Sequence, residues 1–253
     1  MSVAGIHFLD ACGPDGMRLY AIGDVHGRLD LLEAMHERIR ADIAARMPAD
    51  WRIIHLGDYT DRGPSSKGVL DFLIAAGTRD RRIISLMGNH DWGVLEFLAE
   101  PNPYGLFATN GGEETARSYG VELRFSPVPA LMEGHTKLRA AVPEEHAAFL
   151  RSLPRSATFG DFFFCHAGIR PGTSLERQDP HDLIWIRHEF LDHPALYEKV
   201  VVHGHTPSDE PEIMANRINV DTGAFYSGVL TCAIMDGQDK MLMDVRGAPD
   251  SRY

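Results

Sequence analysis

The chain has 253 residues, 44% of them hydrophobic, which is enough to bury the core of one large domain or two small ones, and we favour one. The net charge of −11 comes without a basic stripe, which argues against nucleic acid as a partner, and the three cysteines lack the spacing of a disulfide framework or a thiolate zinc site. No apolar run is long enough to cross a membrane and no secretory signal is visible, so we expect a soluble, cytoplasmic protein that does not bind membranes.

Three strand–loop–helix units open the chain. Each combines a short β-type run, a glycine-bearing motif and an apolar pattern at helical spacing. The predicted strands are 18–22, 51–56 and 82–87, and the helices that follow them are 29–43, 65–76 and 92–98. Repeated units of this kind predict a largely parallel sheet, and the loops after its strands meet at one edge. The motifs should therefore lie together on that edge.

The second half begins with a segment rich in proline and glycine, at about 101–143. We interpret it as an irregular insertion over the site, with a short helix at 113–119, inside a single domain that spans 1–253. Strands are then predicted at 162–165, 199–202, 217–220, 229–234 and 241–245, with a helix at 182–191. Strand–helix units followed by a strand-rich meander predict an α/β sandwich of two packed sheets with helices outside.

The first two motifs, GDVHG and GDYTDRG, offer metal ligands. Asp24 and His26 are two residues apart in the turn that leaves a strand, so both side chains can reach one point. A carboxylate and an imidazole suit a divalent ion such as manganese, iron or zinc, although an ordinary turn with a surface aspartate remains the alternative. Asp58 is the natural bridge because one carboxylate can hold two ions. Two ions about 3.5 to 4 Å apart would clamp the attacking and leaving oxygens of an in-line displacement.

A second metal would find its other ligands in the later motifs. The oxygen of Asn89 adds no negative charge, and the neutral imidazoles of His166 and His205 could complete the shell. Two divalent ions, two carboxylates and a bridging hydroxide leave a formal charge of about +1. We therefore expect the site to attract anions although the protein is acidic.

Four further polar residues could act on a substrate. His90 follows a proposed ligand and could protonate a leaving oxygen, while Asp61 would hold its imidazole and raise its pKa. Arg62 and Arg187 could each present a bidentate fork to phosphate oxygens. The alternatives are a surface ion pair for Asp61 and Arg62 and a helix-surface arginine for Arg187. His203 stays open: it could point away from His205 on a strand or support it from behind.

In this order, the motifs GDVHG, GDYTDRG, GNHD, CHAG and HGHT resemble those of the serine/threonine phosphatase family of calcineurin-like metallophosphoesterases, in particular its bacterial branch. The resemblance runs from about Leu19 to about Asp244. It implies a sandwich of two mixed β-sheets flanked by helices. It also implies that Asp24, His26 and Asp58 hold one metal, that Asp58, Asn89, His166 and His205 hold the other, that His90 with Asp61 is the general acid, and that Arg62 and Arg187 bind phosphate.

Departures from the family pattern leave the substrate as the open question. Thr60 stands where valine or isoleucine is usual, and Asp91 stands where the pattern has glutamate. The expected activity is hydrolysis of a phosphoprotein or small phosphomonoester by a hydroxide activated by two metal ions, manganese before iron or zinc. The alternative is a diadenosine tetraphosphate pyrophosphohydrolase. That substrate would need base-stacking surfaces, and the few aromatic candidates near the motifs are Trp92, Tyr104, Phe107, Tyr119 and Trp185.

Overall fold

The computed structural model describes residues 5–250, so residues 1–4 and 251–253 of the expected domain lie outside it. Ten strands are present in the described part of the chain. They are β1 (Met17–Ile22), β2 (Asp50–His55), β3 (Ile83–Ser85), β4 (Ser156–Phe159), β5 (Phe162–Cys165), β6 (Val200–His203), β7 (Glu212–Ile213), β8 (Arg217–Asn219), β9 (Val229–Asp236) and β10 (Asp239–Arg246).

The helices fall between and around these strands. They are α1 (Leu29–Arg46), α2 (Ser66–Arg79), α3 (Asn89–Ala99), α4 (Leu106–Thr109), α5 (Gly112–Ser118), α6 (Val128–Ala141), α7 (Glu144–Ser152), α8 (Asp182–Trp185), α9 (His188–Leu191) and α10 (Ala224–Ser227). None of the helices within residues 5–250 is long and apolar enough to cross a membrane.

The strands form two mixed five-stranded sheets. The first has the order β10-β9-β1-β2-β3 and the second the order β4-β5-β6-β8-β7. In the first sheet β1, β2 and β3 are parallel and β9 and β10 are antiparallel additions. In the second sheet β5, β6 and β8 are parallel, and β4 and β7 are antiparallel edges. The prediction of an α/β fold with two mixed sheets flanked by helices is confirmed.

Alternation along the central strands explains why the two sheets pack face to face. Leu19 and Ala21 of β1 share one buried cluster with Phe162 and Phe164 of β5. The intervening Tyr20 and its neighbours in β1 and β2 join a second cluster with apolar residues of α1 on the opposite face. Because helices cover the outer faces, both sides of these strands are apolar. Each fully buried phenylalanine contributes about 1.5 to 3 kcal/mol of burial free energy.

The segment at 101–143 is mostly helical, which differs from the irregular insertion that we expected. It contains α4, α5 and α6, and their buried residues share a cluster with α2, α3 and α7. Prolines that suggested broken structure stand at helix starts: Pro127 caps α6, which has a second proline in its first turn, and Pro143 caps α7. A proline is tolerated there because the first backbone N–H groups of a helix have no partner within it.

Other boundaries also differ from the sequence prediction. The expected helix at 182–191 is two short helices, α8 and α9, interrupted at Ile186 and Arg187. The third motif is itself the start of a helix, because α3 begins at Asn89 rather than at Trp92. Strands β4 and β7 have no counterpart in the prediction.

Candidate active site

The motif residues converge because they follow the ends of parallel strands. Those of the first sheet come just after β1, β2 and β3, and those of the second sheet just after β5 and β6. In chain order they are Asp24, Asp58, Asn89, His166 and His205. All five are buried, with at most 4% of their surface exposed.

Backbone conformation at the motifs departs from the ordinary. Among residues 5–250, six non-glycine residues have positive φ, and five of them belong to the motifs: His26, Asp58, Asp61, Arg62 and His205. A residue other than glycine adopts the left-handed backbone region at a cost of about 1 to 3 kcal/mol, and such positions cluster at functional sites. Five of them in one place indicate that the surrounding fold enforces a particular side-chain geometry.

One group of ligand atoms surrounds the amide oxygen of Asn89. The oxygen lies 2.9 Å from His166 Nε2 and 2.9 Å from His205 Nδ1, and His166 Nε2 is also 3.4 Å from Asp58 Oδ1. His166 Nδ1 faces the carbonyl oxygen of Leu56 at 3.1 Å. A carbonyl only accepts hydrogen bonds, so Nδ1 carries the proton and Nε2 presents its lone pair to the Asn89 oxygen. Two lone pairs meet favourably only with a positive ion between them, so this donor set fits a divalent metal.

A second group of ligand atoms lies around the other oxygen of Asp58. His26 Nε2 is 3.4 Å from Asp58 Oδ2, and its Nδ1 donates to the carbonyl oxygen of Thr60 at 2.8 Å. His26 therefore also directs a lone pair toward the carboxylate. The atoms of His26, Asp58 and His90 lie within 4.8 Å of one another, as do those of Asp58, His166 and His205. Asp58 belongs to both groups, as a bridging ligand must.

Asp24 lies beside these groups rather than inside either. Its two oxygens accept the backbone N–H of His205 at 3.3 and 3.1 Å. Burial raises the pKa of Asp24 well above its ordinary value, and the negative charges of Asp221 and Asp58 raise it further. Without a cation, this part of the site thus disfavours the ionised form of its carboxyl groups.

His26 and His205 are held in the neutral form that binds metals. Burial lowers the pKa of His26 well below its usual value, and burial lowers that of His205 to about 2. Burial would raise the pKa of Asp58, but its interactions with the imidazoles of His166 and His90 hold that pKa well below the ordinary value. Neutral imidazoles beside an ionised carboxylate are the protonation states that a divalent ion requires.

His90 is tied into a separate hydrogen-bond network. Its Nδ1 lies 2.7 Å from Asp61 Oδ2, and its Nε2 lies 3.2 Å from Arg62 Nη2. Burial lowers the pKa of His90, but the charge of Asp58 and the hydrogen bond that His90 donates to Asp61 outweigh burial, and the net pKa is raised. The ring is thus fixed by Asp61 and its pKa is raised, which are properties expected of a group that exchanges a proton.

Asp61 is positioned by a helix far along the chain. The hydroxyl of Thr115 in α5 donates to Asp61 Oδ1 at 2.8 Å and accepts the Asp61 backbone N–H at 2.8 Å. The same N–H also donates to Ser66 Oγ at 3.1 Å. Sequence reasoning missed Thr115, because nothing near it in the chain points to the site.

Asp91 is a second residue whose role the motifs did not reveal. Its carboxylate accepts the backbone N–H groups of Asp58 at 2.8 Å, Tyr59 at 2.9 Å and Gly88 at 3.0 Å. These bonds fix the turn that carries Asp58. Gly88 is required here, because a Cβ at this position would collide with the backbone and carboxylate of Asp58.

The two predicted phosphate-binding arginines border the same site. The Arg62 guanidinium lies 4.5 Å above the ring of Phe225, a residue that sequence reasoning did not single out. Arg187 is exposed and donates to Thr206 Oγ1 at 3.1 Å, and its electrostatic partners are Asp58, Asp221 and Asp24.

The side chain of His203 points away from the site, which is the first of the two alternatives considered for it. Its ring centroid is 5.0 Å from that of Phe190, in an edge-on contact that belongs to the outer side of the second sheet. Its Nδ1 lies 3.0 Å from the carbonyl oxygen of Gly204, and its buried Nε2 has no hydrogen-bond partner within the described residues. β6 ends at His203, whereas His205 lies in the following turn with a φ of 67°, so strand alternation does not place the two side chains on one face.

Comparison with known proteins gives a consistent family assignment. The family model for calcineurin-like phosphoesterases matches residues 17–227. The asymmetrical bis(5′-nucleosyl)-tetraphosphatase PrpE of Bacillus thuringiensis (strain Al Hakam) is 24% identical over 233 residues, which cover 85% of this chain and 89% of that protein.

Solved structures agree on the fold. A candidate diadenosine tetraphosphatase superposes with a TM-score of 0.63 at 19% identity, covering 95% of this chain and 98% of the other. A protein serine/threonine phosphatase from Saccharomyces cerevisiae gives a TM-score of 0.55 at 12% identity, covering 94% and 82%. At these identities the likeness concerns the fold alone.

Proposed function

The chain belongs to the calcineurin-like phosphoesterase family, and within this family we propose that it is a metal-dependent hydrolase of dinucleoside tetraphosphates. The observation that carries the metal dependence is the position of His166 Nε2, which lies 2.9 Å from the Asn89 oxygen and 3.4 Å from Asp58 Oδ1. The proposed ligands are Asp24, His26 and Asp58 for one ion, and Asp58, Asn89, His166 and His205 for the other.

The metals and the protein divide the chemistry between them. When bound, two divalent ions supply a nucleophilic hydroxide and neutralise charge on the phosphoryl group that is attacked. Manganese is the proposed ion because the ligands are oxygen and imidazole nitrogen without a thiolate. The protein contributes the orientation of its ligands, which the hydrogen bonds from His26 to Thr60 and from His166 to Leu56 fix.

The remaining site residues act on the substrate. Arg62 and Arg187 are proposed to bind the oxygens of the phosphoryl group, since both interact electrostatically with the proposed metal ligands and a guanidinium offers a planar, bidentate fork. His90 is proposed to donate its proton to the leaving oxygen while Asp61 holds the opposite ring nitrogen. The proton then ends on the departing phosphate or alcohol, and no covalent intermediate with the protein is required.

Two observations favour a dinucleotide over a phosphoprotein. The PrpE relatives, which are named for tetraphosphatase activity, match along 85% of the chain. In addition, Trp185 is half-buried with its ring centroid 6.4 Å from that of His205, and His181 stacks on it at 5.9 Å with 18° between the planes. A stacked aromatic pair beside a metal ligand is a surface on which a nucleobase can stack.

The other aromatic candidates are less suited to this task. Phe107 is buried and stacks on Phe97 inside the helical cluster, and the Tyr119 hydroxyl is bound to His146. Trp92 is 36% exposed, but its ring is covered by Arg155 at 4.9 Å. Tyr104 projects into solvent, with 88% of its surface exposed, so Trp185 is the candidate for which a stacking role is proposed.

Phosphomonoester hydrolysis, including that of phosphoproteins, is the second candidate. Two arginines and two metal ions around one point suit a terminal phosphoryl dianion, because all of that charge can act on a single group. The two functions share every proposed ligand and differ in the leaving group.

The test compares kcat/KM for diadenosine tetraphosphate and for a phosphopeptide at one manganese concentration. A preference for the dinucleotide above about tenfold, or about 1.4 kcal/mol of transition-state binding, supports the proposal. Trp185→Leu should lower kcat/KM for the dinucleotide by about tenfold and leave nitrophenyl phosphate hydrolysis unchanged, in line with the worth of base stacking. Trp92→Leu is the matched control. A preference for the phosphopeptide would favour the second candidate.

A further inference from the structure

One strand end at the site carries an acidic residue that the proposed ligand set does not use. Among the described residues, six strands pair in parallel with a neighbouring strand, and five of them are followed by a proposed metal ligand. The sixth is β8, and Asp221 lies two residues beyond it. Asp24 lies two residues beyond β1 and His205 two residues beyond β6, so Asp221 occupies the equivalent position.

The backbone around Asp221 fits tightly against two ligand-bearing turns. A Cβ on Gly23 would meet the carbonyl of Val220, and a Cβ on Gly204 would meet the carboxylate of Asp24 and lie 3.7 Å from the Cβ of Asp221. The Val220 N–H donates to the carbonyl of His203 at 3.0 Å. The end of β8 is thus packed between the turn of Asp24 and the turn of His205.

The side chain of Asp221 is held rigidly at this position. Only 3% of the residue is exposed, and its Oδ1 accepts the Gly223 N–H at 3.0 Å. Its own N–H donates to Asn219 Oδ1 at 3.0 Å. Burial raises the pKa of Asp221, and the charge of Asp58 raises it further, as expected for carboxylates buried close together.

We infer that Asp221 is a third acidic residue of the metal centre, placed beside Asp24 so that its charge helps to hold the ion bound by Asp24, His26 and Asp58. A third carboxylate favours a hard, oxygen-preferring divalent ion such as manganese. The inference rests on the proposed two-metal function. It also explains why a second acidic side chain is buried beside Asp24.

Metal binding provides the test, because it does not depend on any substrate. Metal-free protein is titrated with manganese by calorimetry, in the wild type and in Asp221→Asn, which keeps an oxygen for the Gly223 N–H. We expect two bound ions in the wild type, and one of them to bind about 10- to 100-fold more weakly in the variant, the usual effect of losing a supporting carboxylate. Asp221→Ser, measured in parallel, should give the same loss.

Asp209→Asn is the control, because it removes the same charge from an exposed position in the loop after β6. It should bind both ions as the wild type does. Thermal unfolding adds a second readout. Without metal, Asp221→Asn should have a melting temperature equal to or above that of the wild type. Added manganese should raise the melting temperature of the variant by less than it raises that of the wild type. A purely structural role predicts the reverse: a lower melting temperature without metal, and the same increase on adding manganese as in the wild type.

The outcomes separate this inference from the function on which it rests. Wild-type affinity for both ions in Asp221→Asn and Asp221→Ser would overturn the role of Asp221 and leave the metal centre standing. Failure of the wild type to bind manganese, iron or zinc would overturn both.

Discussion

Replacing Thr115 with valine removes one hydroxyl from beneath the proposed proton donor and keeps the size and branching of the side chain. Thr115 is 1% exposed, and its hydroxyl donates to Asp61 Oδ1 and accepts the Asp61 N–H, both at 2.8 Å. Asp61 in turn contacts His90 at 2.7 Å. The change therefore acts on His90 through Asp61, without touching any proposed metal ligand.

The loss of stability expected for Thr115→Val follows from the hydrogen bonds that Asp61 loses. A hydrogen bond to a charged acceptor is worth about 1.5 to 3 kcal/mol, and an unpaired buried N–H would cost more. The Asp61 N–H keeps Ser66 Oγ at 3.1 Å, so the loss should lie toward the lower end, at about 2 kcal/mol. For a protein of this size that corresponds to a melting temperature lower by roughly 4 to 8 °C.

Catalysis should fall in a way that depends on the leaving group. A carboxylate with one fewer bond holds the His90 ring less well, and we expect kcat to fall about tenfold on substrates whose leaving oxygen needs a proton. Nitrophenyl phosphate, whose leaving group departs without one, should be hurt less. Thr115→Ser keeps the hydroxyl and should retain wild-type leaving-group dependence.

The assay is steady-state kinetics on both substrates, together with thermal unfolding of Thr115→Val and Thr115→Ser. If the valine variant unfolds at the wild-type temperature and both substrates are turned over at the wild-type rate, the assigned positioning of Asp61 is wrong. An equal loss on both substrates would indicate general damage to the site rather than loss of proton transfer.

Exhaustive chelation should abolish turnover and added manganese should restore it; full activity in protein shown to be metal-free would contradict the two-metal mechanism. Asp58→Asn should lose metal together with activity, whereas His90→Asn should keep its metal while kcat falls by roughly 10²- to 10⁴-fold; equal metal loss would make His90 a ligand. Burial lowers the pKa of His36, whose Nε2 lies 2.8 Å from His55 Nε2, from 6.5 to about 4. The folded state therefore binds a proton at His36 less readily than the unfolded state does. As a result, the contribution of His36 to the free energy of unfolding is complete above pH 6.5, and it falls by up to about 3 kcal/mol as the pH decreases toward 4. His36→Gln should show a smaller loss of urea stability between about pH 7.5 and about pH 5, and an unchanged loss would assign the pH dependence to other groups.

The candidate ligands could be proposed from the sequence alone because each motif is local. Asp24 and His26 stand in one turn after a recognisable strand, and the same holds for Asp58. The alternation and the apolar runs around them indicated an α/β fold with the motifs on one edge, and the structure confirms the fold. Local pattern suffices here because strand type depends on near neighbours and parallel strands share one carboxyl edge.

Only the tertiary structure showed which residues outside the predicted set contact or flank the motif side chains. Thr115 is 54 positions from Asp61, and its helix belongs to a segment whose prolines suggested irregular chain. Asp91 faces the backbone of Asp58 rather than the metal site, and Asp221 follows a strand that carries none of the conspicuous motifs. Each of these roles depends on a contact between elements distant in sequence. Periodicity and motif spacing carry no information about such contacts, which arise only when the two sheets and the helical layer pack together.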